Sequence, residues 1–85
     1  MEKLNKKARR LAEYAAWAKE SRELDKKIAE VDLLLSEADS KIESREDFDA
    51  KEYVALHEKR AKLLLAKSEA DRNMADFELW ALSQD

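Results

Sequence analysis

Eighty-five residues make one small domain at most, and folding at this length buries only roughly 60% of the unfolded chain's surface. The chain has no cysteine, glycine or proline, which excludes disulfide staples, thiolate zinc sites and phosphate-cradling glycine loops. Charged residues at 44%, hydrophobic residues at 45% and a net charge of −3 disfavour disorder from low hydrophobicity, and no run approaches the roughly 18 apolar residues of a membrane span.

The chain opens on a basic segment, Lys3, Lys6, Lys7, Arg9 and Arg10. The stretch after it, LAEYAAWAKE, is interrupted by Glu13 and too short for a signal-peptide core, so a cytoplasmic protein without membrane attachment is expected. From Tyr14 a 3,4-spaced series runs through Trp17, Ser21, Leu24, Ile28, Val31, Leu35, Ala38 and Ile42, the pattern of a seam along one helix face. Glu2/Lys6, Glu23/Lys27 and Glu37/Lys41 each place an acid four residues before a base, which supports a helix from about Lys3 to Ile42.

The break comes in SREDFDAKEY. Asp49 with Glu52 three residues on resembles a capping box, and Phe48 and Tyr53 occupy the positions of a hydrophobic staple, so the second helix is predicted from Ala50 to about residue 83. Ser44 and Asp47 are competing caps, leaving the link anywhere between Ile42 and Asp49. Without glycine, the turn is expected to use Asp, Ser or charged residues at negative φ. Tyr53, Leu56, Leu63, Ala70, Met74, Phe77 and Ala81 share one side of the second helix, interrupted by Arg60 and Lys67.

These elements predict an all-α fold: a single domain over 1–85, a long antiparallel hairpin resembling a coiled coil, a rod on the order of 55 Å long. Residues 1–29 hold nine bases and five acids, 69–85 one base and five acids, and antiparallel pairing lays the two blocks side by side. With a turn near residue 46, positions whose numbers sum to about 93 face each other, bringing Tyr14 and Trp17 level with Phe77 and Trp80. The alternative is a three-helix bundle with a further break near Asp71–Asn73 or Ser36–Ser40.

The two leucine triplets, Leu33 to Leu35 and Leu63 to Leu65, decide the functional expectation. Consecutive helical residues differ by about 100°, so no single seam holds a whole triplet. If Leu35 belongs to the intramolecular seam, Leu33 or Leu34 faces outward, and so does Leu64 or Leu65. Assembly into a four-helix or larger bundle, most simply a dimer, is the expectation, with isolated surface leucines as the competing reading. The triplets are offset by thirty residues and their SEAD tetrads by thirty-two, so no single repeat relates them.

Chemistry-bearing patterns are sparse. His57 lacks a second histidine at Ala61 for HExxH and an acid at Val54 for ExxH, so no catalytic residue, metal site or cofactor is expected. Nine acids against three bases between Glu30 and Glu52 read as a solvated helix end. Tyr14, Trp17, Phe77 and Trp80 suit either core packing or a partner-binding hot spot. Lys6, Lys7, Arg9 and Arg10 form a candidate contact for nucleic acid or another anion, with pairing to the acidic C-terminal block as the competing reading. The chain is therefore expected to be a non-enzymatic binding protein, a self-associating hairpin that engages and regulates or inhibits a protein partner, in the manner of an adaptor or a small phage- or plasmid-type viral modulator. Nucleic-acid binding through the basic N-terminal helix is the alternative.

Overall fold

A computed structural model describes the backbone of residues 2–84 and the side chains of residues 5–84. Two helices, α1 (Glu2–Glu43) and α2 (Ala50–Leu82), lie antiparallel in a rod of 65 × 16 × 16 Å, with no strand among the described residues. Sequences rich in Ala, Leu, Glu and Lys, free of glycine and proline, let both helices run unbroken. Neither Ser36–Ser40 nor Asp71–Asn73 interrupts a helix, so a third helix does not form. Both stretches keep the 3,4 phase of their helix and contain nothing that ends it.

The core is a single seam. Ser21, Leu24, Ile28, Val31 and Leu35 are buried on α1 and Ala70 on α2, while Tyr14, Trp17 and Ala38 are half-buried. The burial of Leu24, Ile28, Val31 and Leu35 stabilises the pairing by roughly 1.5–3 kcal/mol each before entropy is counted. Ile42, the last residue of the sequence-derived seam, is 38% exposed, since the residue level with it is Ala50, at the very start of α2.

On α2 the seam runs Tyr53, Leu56, Arg60, Leu63, Lys67, Ala70, Met74, Phe77 and Ala81 without a slip, and all nine positions are buried or half-buried. Arg60 and Lys67 are therefore members of the seam rather than breaks in it. Their aliphatic stems stand in for apolar side chains and their charged ends reach outward, Arg60 to Asp32 and Lys67 to Asp25 at 2.7 Å. Asp71 also lies 4.0 Å from Lys67. The hydrogen bond to Asp25, reinforced by the charges of Asp25 and Asp71, holds the Lys67 ammonium above its ordinary pKa of 10.5 against an opposing desolvation.

These contacts belong to a ladder with one register. Tyr14 donates to Glu78 (3.3 Å), Ser21 to Asp71 (2.9 Å), Lys67 to Asp25, Arg60 to Asp32, and Tyr53 to Asp39 (2.9 Å). The residue numbers of every rung add to 92, one less than the sequence-derived value. By contrast, Glu23/Lys27 and Glu37/Lys41 do not close to within 4 Å, while the side chain of Glu2 lies outside the described residues. Holding two exposed long side chains in one geometry costs about what the pair returns.

The link departs from expectation at one residue. Arg45 has φ 59°, in the left-handed region, where a glycine would ordinarily sit. Its N–H bonds to the carbonyl of Ile42 (3.2 Å), and that of Glu46 bonds to Lys41 (2.8 Å), the two crossed bonds of a Schellman motif. Those bonds satisfy carbonyls that α1 would leave bare and offset a left-handed conformation that costs roughly 1–2 kcal/mol for a side-chain-bearing residue. The expected negative φ throughout the turn is thus corrected by helix-end hydrogen bonding.

Candidate functional site

At the closed end, Asp49 caps α2 by accepting from the N–H groups of Lys51 (2.9 Å) and Glu52 (3.3 Å). Neither competing cap is used, and Ser44 instead donates back to the Ser40 carbonyl (2.6 Å). Phe48 and Tyr53 meet edge to face at 6.3 Å, forming the staple, and Tyr53 meets His57 edge-on at 4.7 Å. The hydrogen bond from Tyr53 to Asp39 holds its phenol above the ordinary 10.0, with desolvation and the Asp39 charge adding to the effect. Leu34, Ala38, Lys41, Phe48, Tyr53 and Leu56 line a shallow groove here of about 100 Å³. Phe48 and Leu34 are each 46% exposed, so apolar surface reaches solvent beside a tip with nine acids against three bases.

At the open end, Tyr14 stacks in a tilted arrangement on Phe77 at 4.8 Å, and Phe77 packs on Trp80 at 5.8 Å. The Arg10 guanidinium lies 5.0 Å from the Trp80 ring centroid, a cation–π contact. Trp17 is half-buried, and with Arg10, Glu13, Asn73 and Asp76 it lines a cleft of about 160 Å³. The helices therefore bring Tyr14 and Trp17 together with Phe77 and Trp80 across sixty or more residues of sequence, half inside and half open to solvent.

Lys6, Lys7 and Arg9 are exposed on the first turns of α1. The basic and acidic terminal blocks lie side by side, yet the ion pairs among the described residues all sit mid-rod on Arg60 and Lys67. Arg10 meets an aromatic ring instead of a carboxylate. The side chain of Lys3 lies outside the described residues. Comparison with known protein families, curated proteins and solved structures found no match.

The leucine triplets divide as one face each. Leu35 is buried and Leu63 half-buried in the seam, whereas Leu33 (62%), Leu34 (46%), Leu64 (38%) and Leu65 (72%) are exposed. Sequence reasoning missed further exposed apolar residues, Leu11, Val54, Leu79 and Leu82, each more than half exposed. For Val54, Leu79 and Leu82 the signal is a second 3,4 series on α2, which Glu58 and Arg72 interrupt. Among the described residues there is no group of three or more His, Asp or Glu in metal-binding proximity, and no helix is long and apolar enough to cross a membrane.

Proposed function

We propose that the chain is a non-enzymatic protein-binding module of the cytoplasm: a coiled-coil-like hairpin that self-associates into a four-helix assembly and engages, and so regulates or inhibits, a macromolecular partner. One observation carries this reading. The hairpin exposes 7011 Å², whereas a compact monomer of 9.9 kDa exposes about 5,200 Å². The difference of about 1,800 Å² is more than twice the roughly 800 Å² that each partner contributes to a standard interface. Seven exposed leucines among the described residues lie on the surface of the rod, and two helices cannot enclose them. The half-open aromatic cluster at Tyr14, Trp17, Phe77 and Trp80, with Arg10 beside it, has the residue types that dominate binding hot spots. The assignment to small phage- or plasmid-type modulators rests on the size of the chain alone.

Light scattering behind a sizing column, over a hundredfold range of concentration, is the test. A mass at or above twice 9.9 kDa is expected. Trp17→Ala and Leu33→Asp variants that keep every cross-linked partner contact would remove these surfaces from the proposal.

A second reading rests on Lys6, Lys7 and Arg9, exposed with their charges directed to solvent. Phosphate contacts there would give binding to DNA or RNA that falls steeply with salt and is lost when the three residues become Glu. Absence of binding at low salt removes it.

A further inference from the structure

The proposed self-association needs a face, and α2 has one that its seam does not use. Val54, Ala61, Leu65, Ala75, Leu79 and Leu82, taken with Glu58, Ser68 and Arg72, form a continuous series of alternating four- and three-residue gaps. At about 100° per residue this stripe lies about 150° around α2 from the seam with α1. Every member is exposed, Val54 at 54%, Leu65 at 72%, Leu79 at 66% and Leu82 at 72%. The equivalent outer line of α1 is broken mid-helix by Lys19, Arg22 and Lys26, so only α2 has such a stripe over its whole length.

We infer that this stripe is the contact for a second copy of the chain, laid antiparallel and centred on Ser68. Three observations select that occupant. Reversed about Ser68, the stripe falls on itself to within one residue: Val54 is level with Leu82 of the second copy and Ala61 with its Ala75, while Leu65 lies beside the stem of Arg72 and Leu79 beside that of Glu58. Charge fixes the direction. Residues 50–67 hold five bases and two acids, a balance of +3, and residues 68–84 hold one base and four acids, −3. Antiparallel pairing sets each +3 half beside a −3 half, with Lys62 near Asp76 of the second copy, while parallel pairing would set like against like. Area completes the case. Val54, Leu65, Leu79 and Leu82, with Leu64 flanking the stripe, leave on the order of 500 Å² per copy, or about 1,000 Å² for the pair, which reaches the floor for a specific interface.

This inference rests on the self-association reading and gives it a shape. Because stripe and seam lie nearly opposite on α2, the four helices form a flat layer in the order α1, α2, α2, α1 rather than a closed bundle. Leu33 and both cleft regions stay outside the contact, and each end of the particle presents one acidic tip and one aromatic cluster.

Cysteine substitution tests it without background, since the chain has no cysteine. On mild oxidation S68C is expected to give a covalent dimer and V54C alone to remain uncross-linked, whereas V54C mixed with L82C gives the mixed disulfide. A Leu65→Glu, Leu79→Glu double variant, altered only at exposed positions, is expected to keep its helical circular dichroism and fall to a single-chain mass. Self-cross-linking of V54C, or a dimer that persists in the double variant, overturns the stripe assignment and leaves self-association standing. A single-chain mass for the unmodified protein at every concentration overturns both.

Discussion

The two ends of the rod are closed by different means. At the tip, the Schellman turn through Arg45, the Asp49 cap and the Phe48–Tyr53 staple all act between residues at most five apart in sequence. At the open end, Tyr14, Phe77, Trp80 and Arg10 meet across more than sixty residues. Local contacts close small loops and form early, while distant ones are reached only after the entropy of bringing the ends together has been overcome. Pairing is therefore expected to start at the tip and fraying to start at the open end.

Phe77→Ala should break this contrast most strongly, because Phe77 touches both Tyr14 and Trp80. Full burial would make the loss about 3–5 kcal/mol, and for a half-buried ring we expect about 2 kcal/mol. Native-state hydrogen exchange should show the loss of protection confined to the terminal turns of α1 and α2, with the tip unchanged. Equal loss at both ends would mean that the rod opens as one unit.

Arg45→Gly acts at the opposite end and with opposite sign. Removing the side chain relieves the left-handed strain, partly offset by the greater freedom of glycine in the unfolded chain, for a net gain of up to about 1 kcal/mol in chemical denaturation. A loss would show that the Arg45 side chain makes a contribution beyond its backbone.

The smallest effect is alkaline. Tyr53 and Lys67 both hold their protons more tightly in the folded chain than in the unfolded one. Their contribution is therefore complete below pH 10 and is lost as pH rises through the higher folded values. Melting temperature should be flat from neutrality to about pH 10 and decline above it. Asp39→Asn should lower the phenol titration, followed by tyrosinate absorbance in a Tyr14→Phe background, towards the ordinary value.

How much of this was legible beforehand follows the same local–distant divide. The α1 seam, the Asp49 cap and the staple depend on residue types at short spacing, which a single sequence displays. The α2 seam was obscured because Arg60 and Lys67 are charged, and only the acids on the facing helix, Asp32 and Asp25, explain their place in it. Arg45 was invisible for a related reason: its φ is set by two hydrogen bonds of the helix end and not by a preference of arginine. Among the candidate site residues, the outward leucines could be deduced from helical angle alone. That Arg10 would sit on Trp80 depended on the final register.

The rungs of that register carry one more consequence. Asp25, Asp32 and Asp39 recur every seven residues along α1, as Lys67, Arg60 and Tyr53 do along α2. Such a set nearly fits itself again after a slide of one interval, about 10 Å of helix. Charge and hydroxyl pairing therefore supply teeth but no unique stop. The stops lie at the two ends: the six-residue link between Glu43 and Ala50, too short and too tightly bonded to feed out another seven residues, and the aromatic cluster, which a slide would pull apart. Mechanically the molecule is a ratchet held by a pawl at each end, and lengthening the turn would release only one of them.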